Sequence, residues 1–232
     1  MSDDTPGIRG ICSMATRGLL QELAAMYTQR TGMAVFFEAV GGVEAARRVA
    51  AGEPFDVVVL ASDAIDKLIA AGTLDGAGRV DLVRSEVGVA VPAAAVRPDI
   101  STEQALRRTV LEAPRIAYST GPSGVALMAL FDRWEIADAL RGRLVQAPPG
   151  EPVGALLARG QAQLGFQQMS ELMGLEGIEV LGRLPSDVAI VTVFSAAPGA
   201  GAERSGRLAA LLGFLNSAGV EAVKLRYGMR SG

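Results

Sequence analysis

The sequence predicts an α/β protein built from two lobes, each a mainly parallel sheet flanked by helices. Short apolar strands alternate with amphipathic helices from Ile8 onward, a pattern that is typical of parallel sheets covered by helices. Residues 80–95 are extended and apolar instead, which indicates a crossing into a second lobe. A further apolar run at 188–194 provides the return crossing. This layout predicts a ligand cleft between the lobes.

The two crossings define the expected domain boundaries. Lobe 1 should comprise residues 1–84 together with 193–232, and lobe 2 should comprise residues 85–192. Lobe 1 is therefore expected to be built from both ends of the chain, and lobe 2 from one continuous segment.

The elements of lobe 1 follow from the spacing of its apolar residues. Positions 19, 20, 23, 24 and 27 are apolar and share one face of a helix, which Gly32 ends. The almost entirely apolar run 55–60 fits a parallel strand buried on both faces. The other expected elements are strands at 8–12 and 33–38, a helix at 43–51, and a third helix with Ser62 or Asp63 as its N-cap.

Lobe 2 shows the same alternation over shorter segments. Helices are expected near 102–111, 125–134 and 153–158, and strands at 115–118, 162–166 and 178–181. The chain then returns to lobe 1 for two helices near 207–216 and 220–227.

The composition excludes several classes of function. The 232 residues contain no histidine and a single cysteine, Cys12, so that neither a histidine-based nucleophile system nor an imidazole metal ligand is possible. A net charge of −3 and an aromatic content of 5% are not those of a nucleic-acid-binding protein. We therefore expect no metal, no cofactor and no nucleic-acid partner.

The start of the chain carries no recognisable targeting segment. Residues 1–7 are polar and acidic, and no apolar run approaches the ~20 residues of a membrane span. These features predict no membrane insertion and a cytoplasmic protein, or a periplasmic one if a leader has been removed.

Four predicted strand-to-helix turns are rich in glycine and small polar residues. In an α/β sheet such turns lie at the carboxyl ends of the strands, where ligands bind, and the backbone N–H groups of a helix N-terminus attract anions. Helix capping without any ligand is the alternative for each turn. The fourth turn is 149–152, and the predicted ligand-binding residues of the other three are Ser13, Ala15, Thr16, Gly41, Gly42, Val43, Ser119, Ser123 and Gly124.

Further binding candidates lie next to these turns. Arg17 begins the first helix and could either pair with a ligand carboxylate or face solvent. Gln167 and Gln168 follow an apolar strand, and their amides could donate to an oxyanion or satisfy loop backbone. Ser62, at the start of the third helix, completes the predicted binding residues.

The catalytic residues of any reaction are unknown at this level. Because histidine is absent, a general base would have to be a group such as Glu38, Tyr118 or Cys12, with its pKa shifted toward neutrality.

Several of these segments together resemble the bacterial molybdate-binding protein family, a group of type II periplasmic solute-binding proteins. The matching residues are Ser13-Met14-Ala15-Thr16, Gly41-Gly42-Val43, 52–58, 116–119, 164–168 and 224–229. The resemblance extends over nearly the whole chain and implies the two-lobed type II fold. It also implies a transporter partner if the protein is exported.

The resemblance implies a ligand site as well. In that family an oxyanion is held by serine hydroxyls and backbone amides of the first two strand-to-helix turns, and by second-lobe residues that include a tyrosine. The tyrosine position falls near Gln168, the second turn is glycine-rich rather than serine-rich, and Arg17 adds a charge. These departures favour a small organic carboxylate, which arginine can bind through two hydrogen bonds, over molybdate.

Two functions are therefore expected. The first is a solute-binding module for a small anion, either a di- or tricarboxylate or a tetrahedral oxyanion. The alternative is a cofactor-independent isomerase of a small polycarboxylate, because aconitate isomerase, which shifts a C=C bond by allylic proton transfer, is similar to the same group. A sensing domain of a transcription regulator is disfavoured, since no helix-turn-helix precedes Ile8.

Overall fold

The computed structural model describes residues 7–202 and 206–232. The chain divides into two compact units, of which unit 1 contains the residues up to Arg84 together with Val193–Gly232, and unit 2 is Ser85–Thr192. Strands and helices alternate along both units, so the predicted α/β class is confirmed.

Unit 1 is a largely parallel sheet covered by helices. Its strands are β1 (Ile8–Ser13), β2 (Val35–Val40) and β3 (Val57–Ala61), and its helices in this part of the chain are α1 (Arg17–Thr31), α2 (Gly42–Ala50) and α3 (Ser62–Ala70). β1 pairs in parallel with both β2 and β3. The carboxyl ends of the three strands therefore share one edge of the sheet, and α1, α2 and α3 start from that edge.

The last strand-helix segment of the chain completes unit 1. β9 (Val191–Pro198) pairs antiparallel with β3, and it is followed by α8 (Gly206–Leu215), α9 (Glu221–Arg226) and β10 (Met229–Ser231). Earlier in the chain, β4 (Val80–Pro92) leads from unit 1 into unit 2.

The two faces of the unit 1 sheet carry separate apolar cores. Val57 and Val59 of β3 belong to the core formed with α1, α8 and α9. Val58 and Leu60 point to the opposite face and pack with α2 and α3. A strand buried on both faces has no polar side to alternate with, which explains its continuous apolar sequence.

Unit 2 repeats this design with shorter strands. Its elements are α4 (Glu103–Glu112), β5 (Ile116–Tyr118), α5 (Pro122–Arg133), β6 (Leu144–Gln146), α6 (Val153–Ala158), β7 (Leu164–Gln168), α7 (Met169–Leu172) and β8 (Ile178–Arg183). β5 pairs in parallel with β6 and β7, while β4 pairs antiparallel with β7 and β8. The carboxyl ends of β5, β6 and β7 consequently lie at one edge, from which α5, α6 and α7 begin.

The structure corrects several expected boundaries. β7 extends to Gln168, so both glutamines belong to the strand rather than to a following loop. α3 has Ala61 at its N-cap position and no side-chain cap, because the Ser62 hydroxyl bonds to β9 instead. β6, α7 and β10, each of three or four residues, were not predicted.

No single helix in the described part of the chain is long and apolar enough to cross a membrane. One pair, Gly206–Leu215 with Ala218–Arg226, meets the length and composition criteria only when combined across a bend of 53°.

Candidate functional site

The first turn of unit 1 presents a buried hydroxyl group without a partner. Ser13 ends β1 and is followed by one 3₁₀ turn, Met14–Thr16, which leads directly into α1. The Ser13 side chain is 6% exposed, and its Oγ makes no hydrogen bond to any described residue. Leaving a buried hydroxyl unpaired costs about 1–3 kcal/mol, so this group is suited to bonding a ligand.

The second turn of unit 1 comes close to the Cβ of Ser13. α2 begins at Gly42, where an added Cβ would lie 3.7 Å from the Cβ of Ser13, while one added at Gly41 would meet nothing within 4 Å. Val43, the next residue, is 68% exposed. Two helices, α1 of 15 residues and α2 of 9, thus begin beside Ser13, and both add positive potential there.

The other predicted residues of the first turn differ in their roles. Thr16 is buried and its Oγ1 donates to the Ser13 carbonyl (3.1 Å), which closes the turn. Ala15 is also buried. Arg17 is exposed and forms no ion pair with a described residue. Its guanidinium is therefore available to an anion, whereas the Thr16 hydroxyl is already engaged.

Ser62 is occupied by contacts within unit 1. Its Oγ lies 2.6 Å from Ser195 Oγ and 3.1 Å from the Val193 carbonyl. The Ser195 hydroxyl in turn donates to Asp81 Oδ1 (2.6 Å). This chain of hydroxyls ties α3 to β9, so the predicted binding residue Ser62 has a role in the fold.

In unit 2 the turn after β5 is built around a close backbone approach. Ser119 Oγ and Ser123 Oγ are 2.9 Å apart, and Ser123 is buried. A Cβ at Gly124 would lie 1.9 Å from the Ser119 carbonyl oxygen. Glycine at 124 is therefore required for the turn that brings the two serines together at the start of α5.

The two glutamines at the end of β7 are both buried and point to different partners. Gln168 Nε2 donates to Thr192 Oγ1 (2.7 Å), and its Oε1 has no partner among the described residues. Gln167 Oε1 accepts the backbone N–H of Val153 (2.8 Å), which is the first residue of α6. Gln167 thereby caps the helix that follows the fourth predicted turn.

Glu171, which was not among the predicted site residues, lies next to Gln167. Gln167 Nε2 donates to Glu171 Oε1 (2.8 Å), and Glu171 forms no ion pair with a described residue. Burial raises the pKa of Glu171 to about 7, and the bond from Gln167 opposes part of that rise. The sequence shows only one glutamate in a four-residue helix, so its environment could not be foreseen.

Two of the three proposed bases, Cys12 and Glu38, are less suited to proton transfer near neutrality than Glu171. Cys12 is fully buried, and burial raises the pKa of its thiol to about 12. Glu38 accepts hydrogen bonds from Arg48 and Arg9, and the bond from Arg48 in particular lowers the pKa of that carboxyl. Tyr118 packs against the core of unit 2.

The pKa of Glu171 has a measurable consequence for stability. The pKa of the Glu171 carboxyl rises from 4.5 to about 7 on folding, so the folded state binds more protons than the unfolded state between these pH values. The contribution of this group to the free energy of unfolding is therefore full below pH 4.5 and is lost as the pH rises through about 7. The loss is about 3 kcal/mol. In urea unfolding, we expect the free energy of unfolding of Glu171→Gln to equal that of the parent protein at pH 4 and to be higher than that of the parent at pH 8. Equal differences at both pH values would contradict this environment for Glu171.

The fold, in which helices follow the carboxyl ends of parallel strands in each unit, is that of the type II solute-binding class, as predicted. The model of the family described as bacterial extracellular solute-binding protein matches residues 8–230. The chain belongs to this family.

Individual relatives agree with that assignment. An aconitate isomerase from a Pseudomonas species is 38% identical over 206 residues, which are 86% of this chain and 78% of that protein. The molybdate-binding protein ModA of Escherichia coli strain K12 is 24% identical over 173 residues, or 72% of this chain and 67% of that one. The solved periplasmic molybdate-binding protein of Azotobacter vinelandii superposes with a TM-score of 0.81 at 18% identity, covering 97% of this chain and 99% of its own.

Proposed function

We propose that this protein binds a small organic polycarboxylate and that one carboxylate of the ligand is held at Ser13, where α1 and α2 begin. The observation that carries the proposal is the buried Ser13 hydroxyl, which has no partner among the described residues. A carboxylate oxygen of the ligand would accept a hydrogen bond from this hydroxyl and so provide its missing partner.

The electrostatics of the first two turns support an anion. The beginnings of α1 and α2 contribute backbone N–H groups and the positive ends of two helix dipoles. Arg17 adds a full positive charge without a competing carboxylate among the described residues. Guanidinium and carboxylate can form two parallel hydrogen bonds, which makes this pair stronger than a neutral one.

The second turn favours an organic ligand over a tetrahedral oxyanion. Gly41 and Gly42 offer no hydroxyl to a third or fourth oxygen, and Val43 exposes an apolar side chain beside them. The hydrocarbon part of a polycarboxylate could contact that side chain. The similarity to a protein that acts on aconitate supports the same choice of ligand.

A second function, isomerisation of an unsaturated polycarboxylate, is favoured by two further observations. The relative at 38% identity is an aconitate isomerase. Unit 2 also holds a partly buried carboxyl group, Glu171, whose pKa of about 7 suits it to taking and returning a proton near neutrality.

Binding is tested with a panel of anions and a thermal-shift readout. We expect citrate and cis- and trans-aconitate to raise the Tm, and molybdate, tungstate and sulfate to have little effect. A ligand at one hundred times its Kd should add about 2.7 kcal/mol of stability. Stabilisation by molybdate or tungstate alone would contradict a carboxylate as the ligand. The absence of any change in Tm would contradict anion binding altogether.

Ser13→Ala tests the residue that carries the proposal. Without ligand the variant should be as stable as the parent or slightly more stable, because a buried unpaired hydroxyl is removed. Its affinity for the carboxylate should fall by about 10- to 100-fold, as expected for a hydrogen bond to a charged group. Calorimetric titration gives the affinity directly.

Ser62→Ala is the matched control in the same unit. Its hydroxyl is already bonded to β9, so this variant should lose stability and keep its affinity for the carboxylate. Unchanged affinity in Ser13→Ala, or a large loss in Ser62→Ala, would show that the ligand is bound elsewhere.

A further inference from the structure

We propose that Glu171 is the acid–base group of unit 2 and that it carries a proton between two carbon atoms of an unsaturated polycarboxylate. This inference rests on the proposed function and assigns its isomerase form to a particular side chain.

Glu171 lies at the edge of unit 2 from which three helices begin. Tyr118 at the end of β5 pairs in parallel with Gln146 of β6 and Phe166 of β7, so all three strands end at this edge. Glu171 belongs to α7, which follows β7 without an intervening loop. Ligands of α/β sheets bind at such edges.

A hydrogen-bond chain fixes the orientation of the carboxyl group. The backbone N–H of Val153 can only donate, so the amide oxygen of Gln167 must face it (2.8 Å). The amide nitrogen of Gln167 then faces Glu171 Oε1 (2.8 Å) and can only donate. Glu171 Oε1 is thus held as an acceptor, and Oε2 keeps its capacity for a second partner.

The surroundings of Glu171 contain little charge. α6 and β7 have no charged residue, and Glu171 is the single charged residue of α7. β4, whose Gly88 lies against Met169, carries Asp81, Arg84 and Glu86; Asp81 pairs with Arg79 (2.9 Å), Glu86 pairs with Arg183 (3.5 Å), and Arg84 forms no ion pair with Glu171. No described cation therefore holds Glu171 permanently ionised, in contrast to Glu38 with its two arginines.

The chemical step requires no other reactant. The Glu171 carboxylate takes a proton from the saturated carbon next to the double bond, and the C–H electron pair moves into an allylic anion stabilised by the ligand carboxylates. The protonated carboxyl then returns the proton to the other end of the allyl system. One C–H bond breaks and one forms, the double bond moves by one position, and Glu171 ends as it began.

The test compares Glu171→Gln with the parent protein. The amide oxygen of glutamine can still accept the bond from Gln167, so the fold should be preserved, while the acid–base group is lost. We expect interconversion of cis- and trans-aconitate to slow by about 10²- to 10⁴-fold, with the thermal shift given by either aconitate unchanged. Glu176→Gln, at an exposed position of the same unit, should behave as the parent.

Two further measurements separate proton transfer from a structural role. For the parent, kcat/KM should rise with pH through about 7 as the carboxyl ionises, and this limb should be absent from the residual activity of Glu171→Gln. Glu171→Asp keeps the acid but withdraws it by one carbon, and it should recover part of the rate together with the pH dependence.

The outcomes distinguish this inference from the function on which it rests. Full turnover in Glu171→Gln would overturn the role of Glu171. Aconitate binding by the parent without interconversion would also overturn it and leave the binding function intact. If the parent neither binds nor converts aconitate, the proposed function itself fails, and the role of Glu171 fails with it.

Discussion

Substituting Gly124 by alanine should lower the free energy of unfolding by about 3 kcal/mol or more. The new Cβ would lie 1.9 Å from the Ser119 carbonyl oxygen, and a backbone atom cannot withdraw as a flexible side chain can. The turn would have to open, which would separate the Ser119 and Ser123 hydroxyls, now 2.9 Å apart. Urea unfolding measures the stability change.

Gly121→Ala is the control for this substitution. Gly121 belongs to the same turn, its φ of −83° suits any residue, and a Cβ there would meet nothing within 4 Å. We expect this variant to unfold within about 0.5 kcal/mol of the parent. Similar stabilities for the two alanine variants would mean that residue 124 is not as closely packed as the structure indicates.

Replacing Gly42 by aspartate should weaken binding of a carboxylate ligand by about 100-fold. The side chain would start 3.7 Å from the Cβ of Ser13 and would place a negative charge where the ligand carboxylate is proposed to bind. Because an acidic residue in the first turn of a helix is favourable, α2 itself should not suffer. Calorimetric titration in low salt would detect the loss.

Gly42→Asn separates charge from bulk in this experiment. Asparagine has nearly the same shape as aspartate but no charge, so the affinity of Gly42→Asn for the carboxylate ligand should remain within about 5-fold of that of the parent. Equal losses in both variants would point to steric exclusion, and no loss in either would place the ligand away from α2.

The order of elements could be predicted because it depends on local pattern. The apolar run of β3 and the bounds of α6 (Val153–Ala158) follow from hydrophobicity alone, and the glycine at 32 adopts the left-handed conformation of a helix end (φ 75°). Such features need only neighbours in sequence, which a single chain displays directly.

The chemistry of individual side chains could not be predicted, because it depends on contacts between distant segments. Ser13 and Ser62 both lie at strand-to-helix junctions and cannot be told apart by their local sequence, yet Ser62 is bonded to Ser195, 133 residues away, and Ser13 has no described partner. Glu171 likewise acquires its character from burial and from Gln167. Long-range packing thus decides which polar residues remain available to a ligand.

The discontinuity of unit 1 also determines the order in which the chain can fold during synthesis. Leu19, Leu20 and Leu23 of α1 share a core with leucines of α8, which are made almost 200 residues later, on the order of ten seconds or more at the ribosome. Unit 2 is continuous and complete by Thr192. The first-made part of unit 1 must therefore wait with one apolar face uncovered until α8 has been made.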